Sequence, residues 1–391
     1  MHKILCINVG STTEKYSYFH VKDDIQKVMQ FNFSYNSKEA KLHIFECLKN
    51  TEVKKKASLQ LKEESLSFVL QFLKDKEFIN SIKDIDSFCV RVVHGGSGFT
   101  QPTYINNSNV SQLEKIQDLA PLHNPFSYTI IKKILSLHSK AQVLAVFDTS
   151  FHISIPQHIS GYALPSQWTE KFSLKKFGFH GIVLASVLRK LQENYKQIPQ
   201  KIIVCHLGGG CSVTAISHGK SLDTSMGFSA LDGLMMVSRS GSVDPGMIQY
   251  LMKKTKKSYD EVLSTLLHAS GLLAVAGADT IENIVQRALK GDSACNYALD
   301  MFCYQVMKFI YAYYGSLQGL DCLVFSGGIG EGSTEIRKRI CAFLEPIHLT
   351  LDAEKNNVSF SEFQEIQSKT SLATILIVHP EEDKEMIREL V

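Results

Sequence analysis

Hydrophobic positions along this chain fall into two alternating textures. Six short runs are almost continuously apolar and rich in β-branched residues: KILCINVG (3–10), FCVRVVHGG (88–96), AQVLAVFDTS (141–150), KIIVCHLGGG (201–210), LDCLVFSGG (320–328) and ATILIVHP (373–380). Each ends in glycine or polar turn residues, which predicts buried strands of a parallel or mixed sheet. Between them, apolar residues recur at helical spacing in SLSFVLQFLKDKEFINSI (65–82), NPFSYTIIKKILSLH (124–138), GIVLASVLRKLQENY (181–195) and NYALDMFCYQVMKFIYAYYGSL (296–317). The last is apolar almost all round and predicts a buried central helix. Strands alternating with helices make the fold class α/β.

One pattern occurs twice. ILCINVGSTTEKYSYF (4–19) and IVCHLGGGCSVTAIS (203–217) both read strand, glycine turn with a hydroxyl residue, then a second strand. This predicts a duplicated domain with a phosphate-handling turn in each half; unrelated glycine hairpins would look the same.

Composition narrows the picture by exclusion. The 391 residues are long enough for two or three domains. At 44% hydrophobic and 21% charged, with a net charge of +3, the chain offers no case for nucleic acid or an anionic membrane as partner. The most basic run, Lys54–Lys56, is soon answered by glutamates and reads as a solvated helix face. Nine cysteines without a CxxC pair, several inside apolar runs, indicate reduced buried thiols and a cytoplasmic setting. No run is long enough to span a bilayer, and the first residues do not resemble a signal peptide.

Candidate chemistry concentrates where the strands end. In VFSGGIGEGSTEIRKRI (324–340), glycines stand at 327, 328, 330 and 332 just before a helical pattern that Ser333 or Thr334 would cap. They serve either a tight turn or close approach of a phosphate to the backbone. Arg91 inside an apolar strand needs a partner, either an internal carboxylate or an anionic ligand. Arg239 lies beside Asp244 in the Ser/Gly-rich SRSGSVDPG, with the same two readings. Two such arginines beside two phosphate-type turns favour phosphoryl transfer. Asp148 ends a strand, where open α/β sheets bring polar groups to ligands. His180 sits between an aromatic residue and a glycine, suited to donating toward an anion. His123, His152, His158 and His206 lack zinc-type spacing. Glu381, Glu382 and Asp383 offer a carboxylate for Mg²⁺ beside a phosphate.

In order and over nearly the whole chain, these motifs resemble the acetate kinase family. Its opening Asn-x-Gly-Ser-Ser-Ser-x-Lys corresponds to Asn8, Gly10, Ser11, Thr12, Thr13 and Lys15. RVVHGG carries Arg91, His123–Pro125 is the HNP of a substrate loop, FDTSFH carries Asp148, and FGFHG carries His180. DTSMGF and LMMVSRSGSVDPG match the loop with Arg239, and SGGIGEGS the nucleotide loop. The resemblance implies duplicated actin-like (ribonuclease H-like) domains, 1–149 completed by about 381–391 and 150–380, with an interdomain active-site cleft. It implies a homodimer that reversibly transfers the γ-phosphoryl of ATP, with Mg²⁺ (or Mn²⁺), to acetate or propionate. The other readings are a butyrate kinase, suggested by HLGGG, and a nucleotide-binding sensor without transfer activity.

Residue by residue, the resemblance implies Arg91, Asp148, His180 and Arg239 as catalytic. Arg91, Val93, Leu122 and Phe179 would contact the acid. Lys15, His206, Leu207, Gly208, Gly209, Gly210, Asp279, Thr280, Ile281, Gly327, Gly328, Ile329, Gly330 and Glu331 would contact nucleotide, and Asn8 with Asp383 the metal. Three departures stand out: Gly209 replaces an asparagine, Ile281 an arginine that lies by the base and ribose, and Ala230 a proline near the acyl pocket.

Overall fold

All six apolar runs are strands, and they form the parallel centres of two sheets. The computed structural model describes residues 1–10, 13–35, 40–57, 61–358 and 362–390, with backbone alone at 55–57 and 61–63. The chain divides into two compact units, Met1–Ser150 with Glu381–Val391, and Phe151–Pro380.

The first unit contains β1 (His2–Val9), β2 (Thr13–Val21), β3 (Ile25–Tyr35), β4 (Ala40–Glu46), β5 (Thr51–Ala57), β6 (Ser87–Val92), β7 (Thr103–Ile105) and β8 (Gln142–Phe147). They form one sheet in the order β5-β4-β3-β2-β1-β6-β8-β7. Strand β1 is antiparallel to β2 and parallel to β6, which is in turn parallel to β8. Tyr16, Phe31, Phe33, Phe88 and Phe147 fill the core with under 2% exposure each, and each aromatic so buried contributes about 1.5–3 kcal/mol. The C-terminal helix Glu382–Arg388 lies on this sheet: the Cys6 and Cys89 thiols donate to the carbonyls of Asp383 (3.5 Å) and Met386 (3.7 Å).

The second unit contains β9 (Lys201–Leu207), β10 (Cys211–Ser217), β11 (Lys220–Thr224), β12 (Cys322–Ser326), β13 (Phe363–Glu365) and β14 (Thr374–Val378), in the order β11-β10-β9-β12-β14-β13. Again the first strand is antiparallel to the second, and a parallel pair follows on its other side. The run β3-β2-β1-β6-β8 thus repeats as β11-β10-β9-β12-β14. The two similar hairpins of the sequence, β1–β2 and β9–β10, occupy equivalent places, so the duplication is real. Val183, Leu184, Val187 and Leu191 of the helix Gly181–Asn194 pack on Ile202, Val204, Val324 and Leu376.

Two expectations need correction. Lys54–Lys56 belongs to edge strand β5 and not to a helix, because pairing with β4 outweighs the charge pattern; lysines on an edge also discourage further strand addition. The helix Ser293–Leu317 is buried along one face only, through Leu299, Phe302, Val306 and Ile310, while Tyr297 and Tyr304 are exposed. Tyrosine suits both settings, which is why the pattern looked apolar all round. All nine cysteines are free, eight of them buried. Among the described residues no helix is long and apolar enough to cross a membrane.

Candidate active site

In the first unit, neighbouring strands β6 and β8 present Arg91 and Asp148. The guanidinium grips the carboxylate with two bonds, Nε to Oδ1 at 3.0 Å and Nη2 to Oδ2 at 2.6 Å. Its remaining edge, Nη1, lies 3.6 Å from Glu382 Oε2. Burial pulls the Arg91 pKa down, but Asp148 and then Glu382 outweigh it, and the net shift is upward. The partner that a charge in a strand requires is therefore an internal carboxylate. Asn124 of the HNP motif fixes the following turn, accepting from the His94 N–H at 3.2 Å and donating to its carbonyl at 2.9 Å. The His123 ring lies beside Gly10, and Ser11 and Thr12 are outside the described residues. Val93 is buried and Leu122 half-buried in this unit.

The two acids at the start of the last helix differ sharply. Asp383 Oδ2 accepts from Ser17 Oγ at 2.8 Å and pairs with Lys15 at 2.9 Å and Lys27 at 3.1 Å. Burial would raise its pKa, yet Lys15 and Lys27 pull it down to about 2. Burial likewise opposes the charge on Lys15, but Asp383 raises its pKa overall. Asp383, expected at the metal, and Lys15, expected at phosphate, are thus paired with each other in this structure, and two ammonium groups already neutralise the Asp383 carboxylate. Glu382 instead keeps a buried Oε2 that accepts no hydrogen bond. With the half-buried Asn8 on β1, it is the oxygen donor that fits Mg²⁺, which takes one or two carboxylates plus phosphate oxygens. Among the described residues no three His, Cys, Asp or Glu cluster as a metal cage.

In the second unit, the β9–β10 turn Gly208–Gly210 gathers a different set. A Cβ at Gly210 would lie 3.3 Å from His180 Nε2 and 3.9 Å from Arg239 Nη1, so both side chains border this turn. His180 adopts a left-handed backbone (φ 62°) at the start of the helix Gly181–Asn194, and its Nδ1 lies 3.0 Å from Ser212 Oγ. Its ring packs edge-on to that of His206, whose Nδ1 meets Ser326 Oγ at 3.0 Å. Arg239 donates from Nη1 to the Ala230 carbonyl at 3.0 Å. No carboxylate pairs with it among the described residues; Asp244 instead caps the helix Pro245–Thr255 through the Gly246 N–H. Burial lowers the Arg239 pKa. A desolvated guanidinium with unused donors is a receptor for an anion. Phe179, one residue before His180, is buried in this unit.

Beside this cluster opens a hollow of about 450 Å³. Gly208, Gly209, Ile281, Gly328 and Ile329, all among the expected nucleotide contacts, line it. His206, Leu207, Gly210, Gly327 and Gly330 shape its surroundings without lining it. Asp279 and Thr280 serve the helix Ile281–Leu289, Thr280 as its cap and Asp279 by holding Asn283. Glu331 turns inward: its carboxylate accepts from the Gly327 N–H at 2.7 Å and meets His379 Nδ1 at 2.7 Å. The glycines are themselves a short helix, Gly327–Gly332, followed by Thr334–Ala342 with Ser333 as its cap. Sequence reading missed Val237, Glu282, Val285 and Gln286, which also line the hollow. Three of these lie on the helix that Ile281 begins, with Val285 one turn beyond it, a signal that projecting one more turn would have caught.

Duplicated sheets with glycine turns, and a half-buried arginine that pairs with no carboxylate among the described residues, are the parts a nucleotide-using phosphotransferase needs. The chain belongs to the acetokinase family, whose model matches residues 3–388. It is 34% identical to an acetate kinase of Carboxydothermus hydrogenoformans over 391 residues, covering 99% of this chain and 98% of that protein. The identity to an acetate kinase of Bacillus subtilis is also 34%, covering 100% and 99%. A crystal structure of a propionate kinase from Francisella tularensis matches with TM-score 0.91 and 33% identity, covering 100% and 99% of the two chains. The protein is an ATP-using kinase that phosphorylates a short-chain carboxylate.

Proposed function

We propose that this enzyme catalyses reversible transfer of the ATP γ-phosphoryl group to acetate or propionate. A carboxylate oxygen attacks the γ-phosphorus, the bond to the β,γ-bridging oxygen breaks, and ADP leaves with the electron pair. No base is needed, because the attacking carboxylate carries no proton at neutral pH. Catalysis then rests on placement and on neutralising charge spread over the equatorial oxygens. The observation that carries this reading is the half-buried Arg239, with no carboxylate partner among the described residues, next to His180 at the glycine turn. Its spare N–H groups are free to meet the phosphoryl oxygens as charge develops. Asp148 holds the Arg91 fork in one orientation, so that Arg91 meets the acid with its remaining edge.

The hollow walled by Gly208, Gly209 and Gly328 suits the donor's phosphates, and Ile281 and Val285 offer apolar surface to a purine. Mg²⁺, when bound, neutralises phosphate charge and orients the donor's oxygens; Asn8 and Glu382 would hold it. Val93, Leu122 and Phe179 would limit acyl length, although one methylene is worth only about 1–3 kcal/mol of discrimination. A homodimer is supported by the helix Pro245–Thr255, which buries none of its residues and exposes Met247 and Tyr250.

The test is a hydroxylamine-trapping assay with Mg²⁺, pairing acetate, propionate or butyrate with ATP, GTP or pyrophosphate. Highest turnover with ATP and one of the two shorter acids is expected. Preference for butyrate would move the enzyme to the butyrate kinases. A folded protein that binds ATP but forms no hydroxamate with any acid would be the sensor.

A further inference from the structure

Arg337 is among the most deeply buried large side chains of the protein, with 1% exposure. Its four hydrogen bonds all go to neutral oxygens. Nε donates to Asn356 Oδ1 at 2.8 Å and Nη2 to the Asn356 carbonyl at 3.0 Å. Nη1 donates to the carbonyls of Gly330 at 2.8 Å and Glu331 at 2.7 Å. No carboxylate pairs with it among the described residues, and burial lowers its pKa to about 10. An uncompensated cation in a core is costly, so the location of those carbonyls matters. They close the short helix Gly327–Gly332, whose Gly328, Ile329 and Gly332 wall the hollow assigned to the nucleotide. The other end of the same turn is held by the Glu331 carboxylate on the Gly327 N–H.

From this geometry we infer that Arg337 is a positioning residue for the phosphoryl donor. Its planar fork draws together the Gly330 and Glu331 carbonyls and ties them to Asn356, so the glycine wall is already in its binding shape before nucleotide arrives. Asn356 completes the brace by donating from Nδ2 to the Thr334 carbonyl at 3.0 Å. A lysine at 337 keeps the charge but loses the fork, because a single ammonium cannot span Asn356 and both loop carbonyls in one plane. The inference rests on the kinase reading only in taking the ligand of this hollow to be ATP.

The experiment is calorimetric titration of ATP·Mg²⁺ into wild type, Arg337→Lys and Asn356→Ala, with melting temperatures measured in parallel. ATP affinity is expected to fall at least about tenfold in Arg337→Lys and about threefold or more in Asn356→Ala. In turnover, the KM for ATP rises correspondingly and the KM for the acid stays within about twofold. A folded Arg337→Lys enzyme with wild-type ATP affinity overturns the assignment. Should that variant not fold, an unchanged affinity in Asn356→Ala overturns it equally. Failure of the wild type itself to bind ATP would instead count against the kinase reading, so the two failures are distinct.

Discussion

Arg91 and Arg239 are the same side chain in opposite surroundings. Arg91 is paired with Asp148, and its pKa is raised despite burial; Arg239 meets the Ala230 carbonyl and the Met236 sulfur, and burial lowers its pKa. Removing them should therefore have different consequences. Arg239→Ala takes away an anion receptor and is expected to lower kcat by about 10²–10³-fold with little change in melting temperature. Arg91→Ala leaves the buried Asp148 unpaired, so it is expected to destabilise the fold by about 3–5 kcal/mol as well as abolish turnover. Denaturant unfolding beside the trapping assay separates the two. His152 supplies a pH-dependent counterpart. Its Nε2 must donate to the Phe179 carbonyl at 2.8 Å, and its Nδ1 meets Ser221 Oγ at 2.8 Å. Burial lowers its pKa from 6.5 to about 4. Above pH 6.5 the ring is neutral folded and unfolded, and stability is whole. As pH falls from 6.5 to about 4 the unfolded chain takes the proton first, and about 3 kcal/mol is lost. In urea titrations at pH 7 and 4.5, His152→Gln should show a smaller drop than wild type; parallel drops would place the loss elsewhere.

At the scale of elements, the glycine turns do two separate jobs. Gly327 has φ 78°, and a Cβ there would lie 2.7 Å from the Leu207 carbonyl oxygen. Gly327→Ala is thus expected to cost about 1–3 kcal/mol of stability. At Gly210 a Cβ meets no backbone but comes 3.3 Å from His180 Nε2. Gly210→Ala should melt like wild type while turnover falls at least about tenfold, because small displacements of a catalytic group are expensive. Elements of this kind were unevenly legible in the sequence. The six central strands showed themselves because parallel strands are buried on both faces and read as unbroken apolar runs. Three-residue edge strands such as β7 and β13 are too short to leave a pattern, and β5 was hidden by its lysines. The catalytic candidates were visible as odd residues in odd places: an arginine in a strand, a histidine between an aromatic residue and a glycine. The ion cluster of Lys15, Lys27 and Ser17 on Asp383 was not, because it depends on strand pairing and on a helix more than 350 residues away in sequence.

For the whole molecule, the chain enters the second unit after Ser150 and returns to the first at Glu381. The last eleven residues carry Glu382 and Asp383 and bury Met386 and Ile387 on the first sheet. Truncation after Pro380 is expected to make the first unit protease-sensitive while a fragment spanning about 151–380 survives limited proteolysis. The C-terminal segment is then part of the first unit's fold and carries the proposed metal ligand Glu382.

The central claim is direct transfer of phosphorus from ATP to a carboxylate oxygen. We would incubate the enzyme with ATP, Mg²⁺ and acetate carrying ¹⁸O in both carboxyl positions, quench with hydroxylamine, and weigh the released phosphate by mass spectrometry. Hydroxylamine attacks the acyl carbon, so phosphate departs with the bridging oxygen. Direct transfer to acetate predicts one ¹⁸O in each phosphate so released, and propionate labelled in the same way should behave alike. Phosphate without label from both acids would show that ATP is hydrolysed by water, and the carboxylate kinase account would be wrong.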